Sequence, residues 1–533
     1  MQDASSIEHN SVKDYLSILL KPRFWGKDCK KVKLVQTHTS WVFLTGTYAY
    51  KIKKPVFFGF LDYTTLSLRK KFSYEEFKIN QILAPDIYFG VIPILKKGNK
   101  IFLGSEDTKS HEVIDYAIKM RELPQDAIMT NLLLNKKLGF SPINEIARII
   151  ANFHKKSRSR EGFYKYGSIE TIKYNWDENF VQTEPFIGVT LTKNKFEKIK
   201  SAVEEFIKNN KYLFIKRIYD QKIIKCHGDL HSENIFVVDK VYIFDSLEFN
   251  PRFAVSDTAS EVAFLAMDLE FYNHKHLADF FLDRYLFYTN DWELLRLLDF
   301  YKCYRAYVRG KVTSFLLNDS KLTHAEKNKI KLKARKYFDL AESYSDLFNR
   351  KLQLIMVMGL PGSGKTYIAE RVAQKLGAHY LSTDIIRKEI TNTPIEEHRF
   401  EGYGKGIYRA DISQKTYAEL YRRSYNYLAG GISCVVDGTF AWESSRIELQ
   451  DIASKTKAQF FIVHCTCPEK IILSRLKRRP HTASVSDATP EIYFRIRDYF
   501  EPVKERQNYL EINTAKSVRE NLLKIIKFIN KTG

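Results

Sequence analysis

No run of this chain is apolar for long enough to cross a bilayer. The greasiest stretches, such as Leu352–Met358, are of strand length, well short of the roughly 18 apolar residues a span requires. Met1–Asn10 is polar and acidic, without a basic segment leading into an apolar one, so no secretory leader is expected. Cysteine is sparse: six are scattered over 533 residues, and only Cys465 and Cys467 lie close, with no second pair to complete a zinc site. These absences exclude disulfide scaffolds, zinc modules and membrane-spanning proteins, and they predict a soluble protein of a reducing cytoplasm. There is also no internal repeat, no low-complexity tract and no block of five or six like charges.

Acidic charge is in deficit, with 85 Lys+Arg against 63 Asp+Glu and a net charge of +22. The excess lies on both halves: residues 351–533 hold 29 Lys+Arg against 20 Asp+Glu, which is +9 and leaves +13 for residues 1–350. Such a surface suits phosphate-rich or nucleic-acid ligands and argues against a cationic substrate, although a lysine-rich solubilising surface has the same composition. At 44% hydrophobic and 14% aromatic, the chain can bury two or three cores.

Residues 31–60 read as short strands: Trp41–Leu44 and Ala49–Ile52 flank the turn Thr45-Gly46-Thr47. Residues 67–83 have helical spacing and end at Ala84-Pro85, and a further strand pair follows at Tyr88–Leu95 and Lys100–Leu103. Most of 110–220 and all of 258–345 is expected to be helical. A new β-α-β pattern begins at Lys351–Met358, which places a domain boundary near 345–351. Little Gly, Pro or Ser occurs there, so the join is expected to be stiff. The predicted domains are 1–345 and 346–533.

Two sets of residues suited to holding ATP stand on the two halves. The first is His227-Gly228-Asp229-Leu230-His231-Ser232-Glu233-Asn234, with Asp245 eleven positions on. Phosphoryl transfer needs a carboxylate for the attacking hydroxyl, oxygen ligands for Mg2+ and a cation on the phosphates. Asp229 lies in a polar loop, and a hairpin through Ile235–Val238 and Val241–Phe244 would deliver Asp245 beside Asn234, with a hard cation between them. The cation is expected to be Lys51, since alternation in Ala49-Tyr50-Lys51-Ile52-Lys53 puts a small residue and two lysines on one face. Lys53 competes for the role, and Glu76 or Glu75 in the next helix would hold the lysine. A solvated edge strand and helix face would carry the same lysines and glutamates.

These residues resemble the aminoglycoside phosphotransferase and choline kinase superfamily over about residues 30–315. The resemblance implies a bilobal, protein-kinase-like α+β domain with Asp229 as catalytic base, Asn234 and Asp245 as Mg2+ ligands, and His227 ordering the loop. Lys51 and Glu76 would serve ATP. No Gly-x-Gly-x-x-Gly stands over the phosphates, only Thr37–Gly46, and the basic balance sits poorly with a polycationic aminoglycoside.

The second set is Gly359-Leu360-Pro361-Gly362-Ser363-Gly364-Lys365-Thr366, between an apolar strand and a helical segment. Glycines let backbone N–H groups cradle phosphates, Lys365 would reach the β and γ phosphates, and Thr366 would offer its hydroxyl to Mg2+. Downstream, Asp384 and Arg387 share one side of a helix start, where they could activate a hydroxyl and grip a neighbouring anion, or simply be an acidic first turn. A strand at Ile432–Val436 ends in Asp437-Gly438-Thr439, expected to be a ligand to Mg2+-bound water or a substrate contact, with Asp437 as the metal-site residue. Arg475, Arg478 and Arg479 fall on one face of a helix, as in a lid over phosphates or an ordinary basic helix end. This half resembles the small P-loop kinases, which include gluconate kinase, zeta toxins and the 5'-hydroxyl kinase module of polynucleotide kinase. The resemblance implies an α/β P-loop NTPase domain with a mainly parallel sheet. With its halves in this order, the chain is similar to bacterial fusions of the two kinase types. It is expected to be an ATP- and Mg2+-dependent phosphotransferase acting on a hydroxyl of a small metabolite, a nucleotide or a nucleic-acid end. A nucleotide-sensing regulator with one catalytic module is the alternative.

Overall fold

Alternation with a period of two shapes the first hundred residues. In the computed structural model, which describes residues 15–37, 39–57, 61–98, 100–105, 111–247, 250–402, 404–478, 485–504 and 508–532, this part forms a six-stranded antiparallel sheet. Its strands are β1 (Lys33–Gln36), β2 (Ser40–Leu44), β3 (Tyr48–Lys53), β4 (Tyr88–Lys97), β5 (Lys100–Leu103) and β6 (Glu112–Arg121), in the order β1-β2-β3-β6-β4-β5. Tyr50 and Ile52 of β3 enter one core with Trp41 and Phe43, while Ala49 enters another with Tyr88, Ile118 and Met120. Lys51 and Lys53 follow Ala49 to that second face.

The expectation of helix from residue 110 fails at β6, a ten-residue strand between β3 and β4. Covered on both faces, its middle reads as a continuous buried run, so the alternation that marks a half-exposed strand is lost. Asp115 in its centre is buried and paired with Arg69 Nε at 3.0 Å, against the usual polar-out reading of an aspartate.

Leu66–Leu83 is an 18-residue helix, capped where the Thr65 hydroxyl accepts from Leu68 N–H. Beside Ile79 and Leu83, its buried residues include Arg69, Ser73, Glu76 and Asn80, which, spaced four, three and four apart, form one polar stripe. Further strands are β7 (Ile223–Lys225), β8 (Ile235–Val237), β9 (Val241–Ile243) and β10 (Val255–Asp257). β8 and β9 form an antiparallel hairpin, and β10 pairs antiparallel with β7.

Residues 351–532 contain β11 (Gln353–Met358), β12 (His379–Ser382), β13 (Cys434–Asp437), β14 (Gln459–Thr466) and β15 (Tyr509–Asn513). They make a parallel sheet in the order β12-β13-β11-β14-β15. All six residues of β11 are buried, as befits a central parallel strand covered on both faces. Ile355, Val357, Val435, Phe461 and Val463 pack with Ile368 and Val372 of helix Lys365–Leu376 and with Ile525 and Ile529 of helix Val518–Thr532.

Contacts group the described residues into two units. One draws on Met1–Leu138, Ile149–Ser168 and Arg217–Glu261. The other draws on Gly139–Arg148, Ile169–Lys216 and Val262–Gly533, so helix His324–Ser345 and β11 fall in the same unit. No helix among the described residues is long and apolar enough to cross a membrane.

Candidate functional sites

The first site is built on β3 and the Leu66–Leu83 helix. Glu76, fully buried, lies between the two lysines: Lys51 Nζ donates to its Oε1 at 2.9 Å and Lys53 Nζ to its Oε2 at 2.7 Å. Burial alone would raise the Glu76 carboxyl, but the two ammonium groups outweigh it and hold it below its usual range. Lys51 continues to the Asp245 carboxylate. Lys53 instead donates to the Tyr63 hydroxyl at 3.2 Å and is 1% exposed. Lys51 is therefore the lysine facing the polar cluster, and Lys53 is a buried brace behind it.

The loop bearing Asp229 is pinned from both sides. Gly228 has φ +85°, and a Cβ there would meet the Phe253 carbonyl oxygen at 2.9 Å, so only glycine fits without strain. Its N–H donates to Glu261 Oε1 at 2.7 Å, while Glu261 Oε2 lies 2.6 Å from His154 Nε2. Burial opposes the ionised form of Glu261, yet the bond and charge of His154, with His227 and the Gly228 amide, hold it down at about 2. His227 Nδ1 accepts from Asp229 N–H at 3.3 Å, which leaves the proton on Nε2, 2.9 Å from the Phe244 carbonyl it donates to. Burial depresses the His227 pKa and keeps the ring neutral.

Asp229 itself is partly exposed and gathers two donors, Asn234 Nδ2 at 3.0 Å and His231 Nε2 at 3.2 Å. His231 Nδ1 accepts from Glu233 N–H, which sets the tautomer that faces Asp229. The β8–β9 hairpin returns the chain so that Phe244 N–H donates to the Asn234 carbonyl at 3.1 Å, bringing Asp245 beside Asn234. Asp245 has φ +63°, a left-handed conformation that aspartate tolerates better than most residues. Asn80 Oδ1 accepts from Ser246 N–H at 3.1 Å, so the helix that holds Lys51 through Glu76 also holds the Asp245 turn, one helical turn further on.

In the second site, β11 runs into the loop 359–364. Gly359 has φ +146°, and a Cβ on it would come within 2.5 Å of the Cys465 carbonyl oxygen of β14. Ser363 N–H donates to the Leu360 carbonyl, closing the turn, and Gly362 and Gly364 both have positive φ. Lys365 opens its helix and makes no hydrogen bond or ion pair among the described residues. Thr366 Oγ1 donates to Asp437 Oδ2 at 2.6 Å, and the Tyr380 hydroxyl donates to the same oxygen at 3.0 Å. Asp437 Oδ1 is buried without a hydrogen-bond partner. Burial raises the Asp437 carboxyl more than the charge of Lys365 and the Thr366 bond lower it. Nearby Glu370 is pushed up to about 7 by burial and by the charge of Asp437.

Asp384 stands in the first turn of helix Thr383–Ile390, its carboxylate unpaired among the described residues. Arg387 is buried: Nη1 donates to the Ile407 carbonyl at 3.1 Å and the Ser413 hydroxyl at 3.0 Å, and its guanidinium lies 4.9 Å from the Tyr408 ring. Arg387 Nε is buried without a partner. Arg475 and Arg478, both expected in a lid, do not act alike. Arg475 donates to the Gly362 carbonyl at 3.3 Å and to the Thr514 hydroxyl and carbonyl at 3.1 and 3.0 Å, Arg478 is exposed at the end of helix Glu469–Arg478, and Arg479 lies outside the described residues.

Sequence reasoning passed over Asn80, His231, Glu261, Tyr380 and Thr514. Asn80 left a local signal in the polar stripe at four, three and four spacing, and His231 stands within the His227–Asn234 run itself. Glu261 and His154 meet across more than a hundred positions, and no spacing rule links them.

Residues 354–503 match the AAA domain family, which covers the loop, Asp384, Arg387, Asp437 and Arg475. An uncharacterized protein of Mycobacterium tuberculosis (strain ATCC 25618 / H37Rv) is 28% identical over 458 residues, 86% of this chain and 88% of that protein. The adenylate kinase of Mesoplasma florum is 29% identical over 130 residues, 24% of this chain and 58% of that enzyme. Among solved structures, an amicoumacin kinase in complex with AMP-PNP and Ca2+ is 9% identical, with 64% of this chain and 96% of that one covered at a TM-score of 0.37. An APS kinase of Mycobacterium tuberculosis is 18% identical, with 34% and 98% covered at a TM-score of 0.26. Those TM-scores are too low for either likeness to carry weight. The C-terminal half thus holds a P-loop in a parallel α/β sheet, and its residues 354–503 are similar to the AAA domain.

Proposed function

We propose that the chain is an ATP- and Mg2+-dependent phosphotransferase with two nucleotide sites, one in residues 1–345 and one in 346–533. Each transfers the γ-phosphoryl group to a hydroxyl of a small metabolite, a nucleotide or a nucleic-acid end. The observation that carries the reading is the loop 359–366 at the end of β11, with Lys365 uncommitted and Thr366 joined to a buried Asp437 that has one oxygen unpartnered. That donor set fits a hard divalent cation. In the second site Thr366 and Asp437 would hold Mg2+, and in the first Asn234 and Asp245; the ion would neutralise charge on the transferring phosphoryl group.

The chain's own residues supply the rest. The loop's N–H groups and Lys365 bind the triphosphate of one ATP, and Lys51, oriented by Glu76, binds that of the other. At the first site Asp229 accepts the proton of the attacking hydroxyl as its oxygen bonds to the γ-phosphorus and the bond to the ADP oxygen breaks. Asp384 has the same role at the second, and Arg387 anchors an anionic group of the acceptor. Such chemistry suits the cytoplasm, where ATP and Mg2+ are plentiful.

A second reading has its own support. The first set is closed upon itself, Lys51 on Asp245 and Asn234 on Asp229, whereas Lys365 and Asp384 are open. A first site that senses nucleotide and regulates the second would look like this. Turnover of Asp229→Asn and Asp384→Asn proteins separates the two. Two catalytic sites predict that each variant loses one acceptor's phosphorylation by about 100-fold or more while the other acceptor is unaffected. If Asp229→Asn leaves every phosphorylation intact, the first site is not catalytic.

A further inference from the structure

An aromatic platform begins five residues past Asp437 of the second site, on residues to which the phosphoryl-transfer reading gives no work. The indole of Trp442 and the ring of Tyr499 stack at 4.8 Å between centroids and 7° between planes. Trp442 nevertheless remains 50% exposed, so the stack shields only part of a large apolar ring. The stack thus leaves a flat aromatic face open, a surface on which a further ring can pack.

The platform is built rigidly. Arg446, 1% exposed, donates to the Phe440 carbonyl at 3.1 Å, the Glu501 carbonyl at 3.2 Å and the Pro502 carbonyl at 3.0 Å. Glu501 N–H donates to the Ala441 carbonyl at 2.9 Å. The segment bearing Trp442 and the one following Tyr499 are thereby zipped together, with one buried guanidinium between them.

It is also continuous with the chemistry. Trp442 lies five residues past Asp437, a span of at most roughly 17 Å. Between them, Phe440 N–H donates to the Tyr417 hydroxyl at 3.3 Å, and Tyr417 sits in the field of Arg387, Asp384 and Asp437. β13, which leads to this loop, pairs with β12, which delivers Asp384. The strand leading into the platform is thus the neighbour of the one that delivers Asp384, while Phe500, next to Tyr499, stacks at 5.7 Å on His464 of β14.

We propose that Trp442 and Tyr499 form the stacking site for a nucleobase of the acceptor, so that the second site phosphorylates a nucleotide or a nucleic-acid end. This rests on the phosphotransferase reading of that site. A π-face takes any base, and a base joined through its sugar to phosphate also suits a half of the chain with a net charge of +9.

The test uses the full chain saturated with Mg2+ and AMP-PNP, and calorimetric titration with three probes. These are a nucleoside 3'-monophosphate with a free 5'-hydroxyl, its abasic counterpart, and gluconate. Stacking on one base contributes about 1–3 kcal/mol, or roughly 5- to 150-fold in Kd. Wild type should bind the nucleotide tighter than the abasic probe by a factor in that range. Trp442→Ala should remove that difference and Trp442→Phe restore most of it, with AMP-PNP binding unchanged in both. Equal binding of the nucleotide and abasic probes to wild type overturns the proposal. So does a Trp442-dependent gluconate with an indifferent nucleotide, which would mark a sugar platform, or a loss of AMP-PNP binding in Trp442→Ala, which would assign the ring to ATP. Binding is read without turnover: a nucleotide that binds through Trp442 but is never phosphorylated sinks the kinase reading and leaves the platform standing.

Discussion

Glu261 shows how one side chain can hold a loop that chemistry needs. It accepts from the Gly228 amide with one oxygen and meets His154 with the other, inside a site closed to water. Its pKa is depressed to about 2 from an ordinary 4.5. A depressed carboxylate contributes stability that is present above the unfolded value and is lost as pH falls through the folded one, here between about 4.5 and 2. Hydrogen exchange of the 226–234 segment should therefore accelerate as pH falls through that window, beyond the intrinsic pH dependence. Glu261→Ala, which leaves two buried groups unpaired, should raise exchange already at pH 7, reflecting a loss of about 3–5 kcal/mol. Protection unchanged in the variant would show that the loop is held by something else. Nothing near Glu261 in the sequence announces this role, because its partners come from distant segments.

At the scale of elements, one junction ties the helical part of the second unit to its parallel sheet. His379, at the start of β12, lies between Asp279 and Asp283 of helix Lys275–Thr289, with Nδ1 3.2 Å from the first and Nε2 3.1 Å from the second. It stacks on Tyr427 at 3.7 Å, and the Tyr427 hydroxyl donates to Asp283 at 2.6 Å. Lys275 pairs with Asp279, and Arg423 faces Asp283 and pairs with Glu389 at 2.6 Å, on the helix that carries Asp384 and Arg387. Burial favours the neutral ring, but Asp283 and Asp279 together raise the His379 pKa above 6.5. A raised histidine contributes stability in full below about 6.5, and that contribution is lost as pH rises through the folded value. The thermal transition of this unit should fall as pH is raised from 6 toward 9. His379→Asn should lower it at pH 6 by the equivalent of about 3–5 kcal/mol and flatten the dependence. A wild-type midpoint constant over that range would show that His379 is not charged in the fold. The same scale explains the failure at β6: a central strand covered on both faces loses the alternation by which strands are read.

For the whole molecule, the quantity that matters is the number of nucleotide sites. Lys51, on β3, and Lys365, at the start of a helix, lie in different units, so removing one should not disturb the other. Calorimetry with Mg2+ and AMP-PNP should give about two sites per wild-type chain and about one for Lys365→Ala. A wild-type stoichiometry of one would remove the first site from the proposal. The contact-based units also cut across the order of the chain, since segments such as Ile169–Lys216 pack with residues beyond 262. No composition shift or linker reveals such grouping, because burial depends on which apolar faces meet.

The sequence by itself determined what local physics encodes. The glycines and lysine of 359–366 follow an apolar run, the alternation of Ala49, Lys51 and Lys53 sets one face of β3, and the short β8–β9 hairpin returns Asp245 to Asn234. Each depends on neighbours a few positions away, where backbone geometry leaves little choice. Tertiary structure alone decided which of two lysines faces the cluster, that Glu76 and not Glu75 joins them, that Arg475 is bound to the loop and Thr514, and that Trp442 meets Tyr499. Those outcomes depend on residues tens to hundreds of positions apart, brought together by the burial of apolar faces and the pairing of the polar groups buried with them.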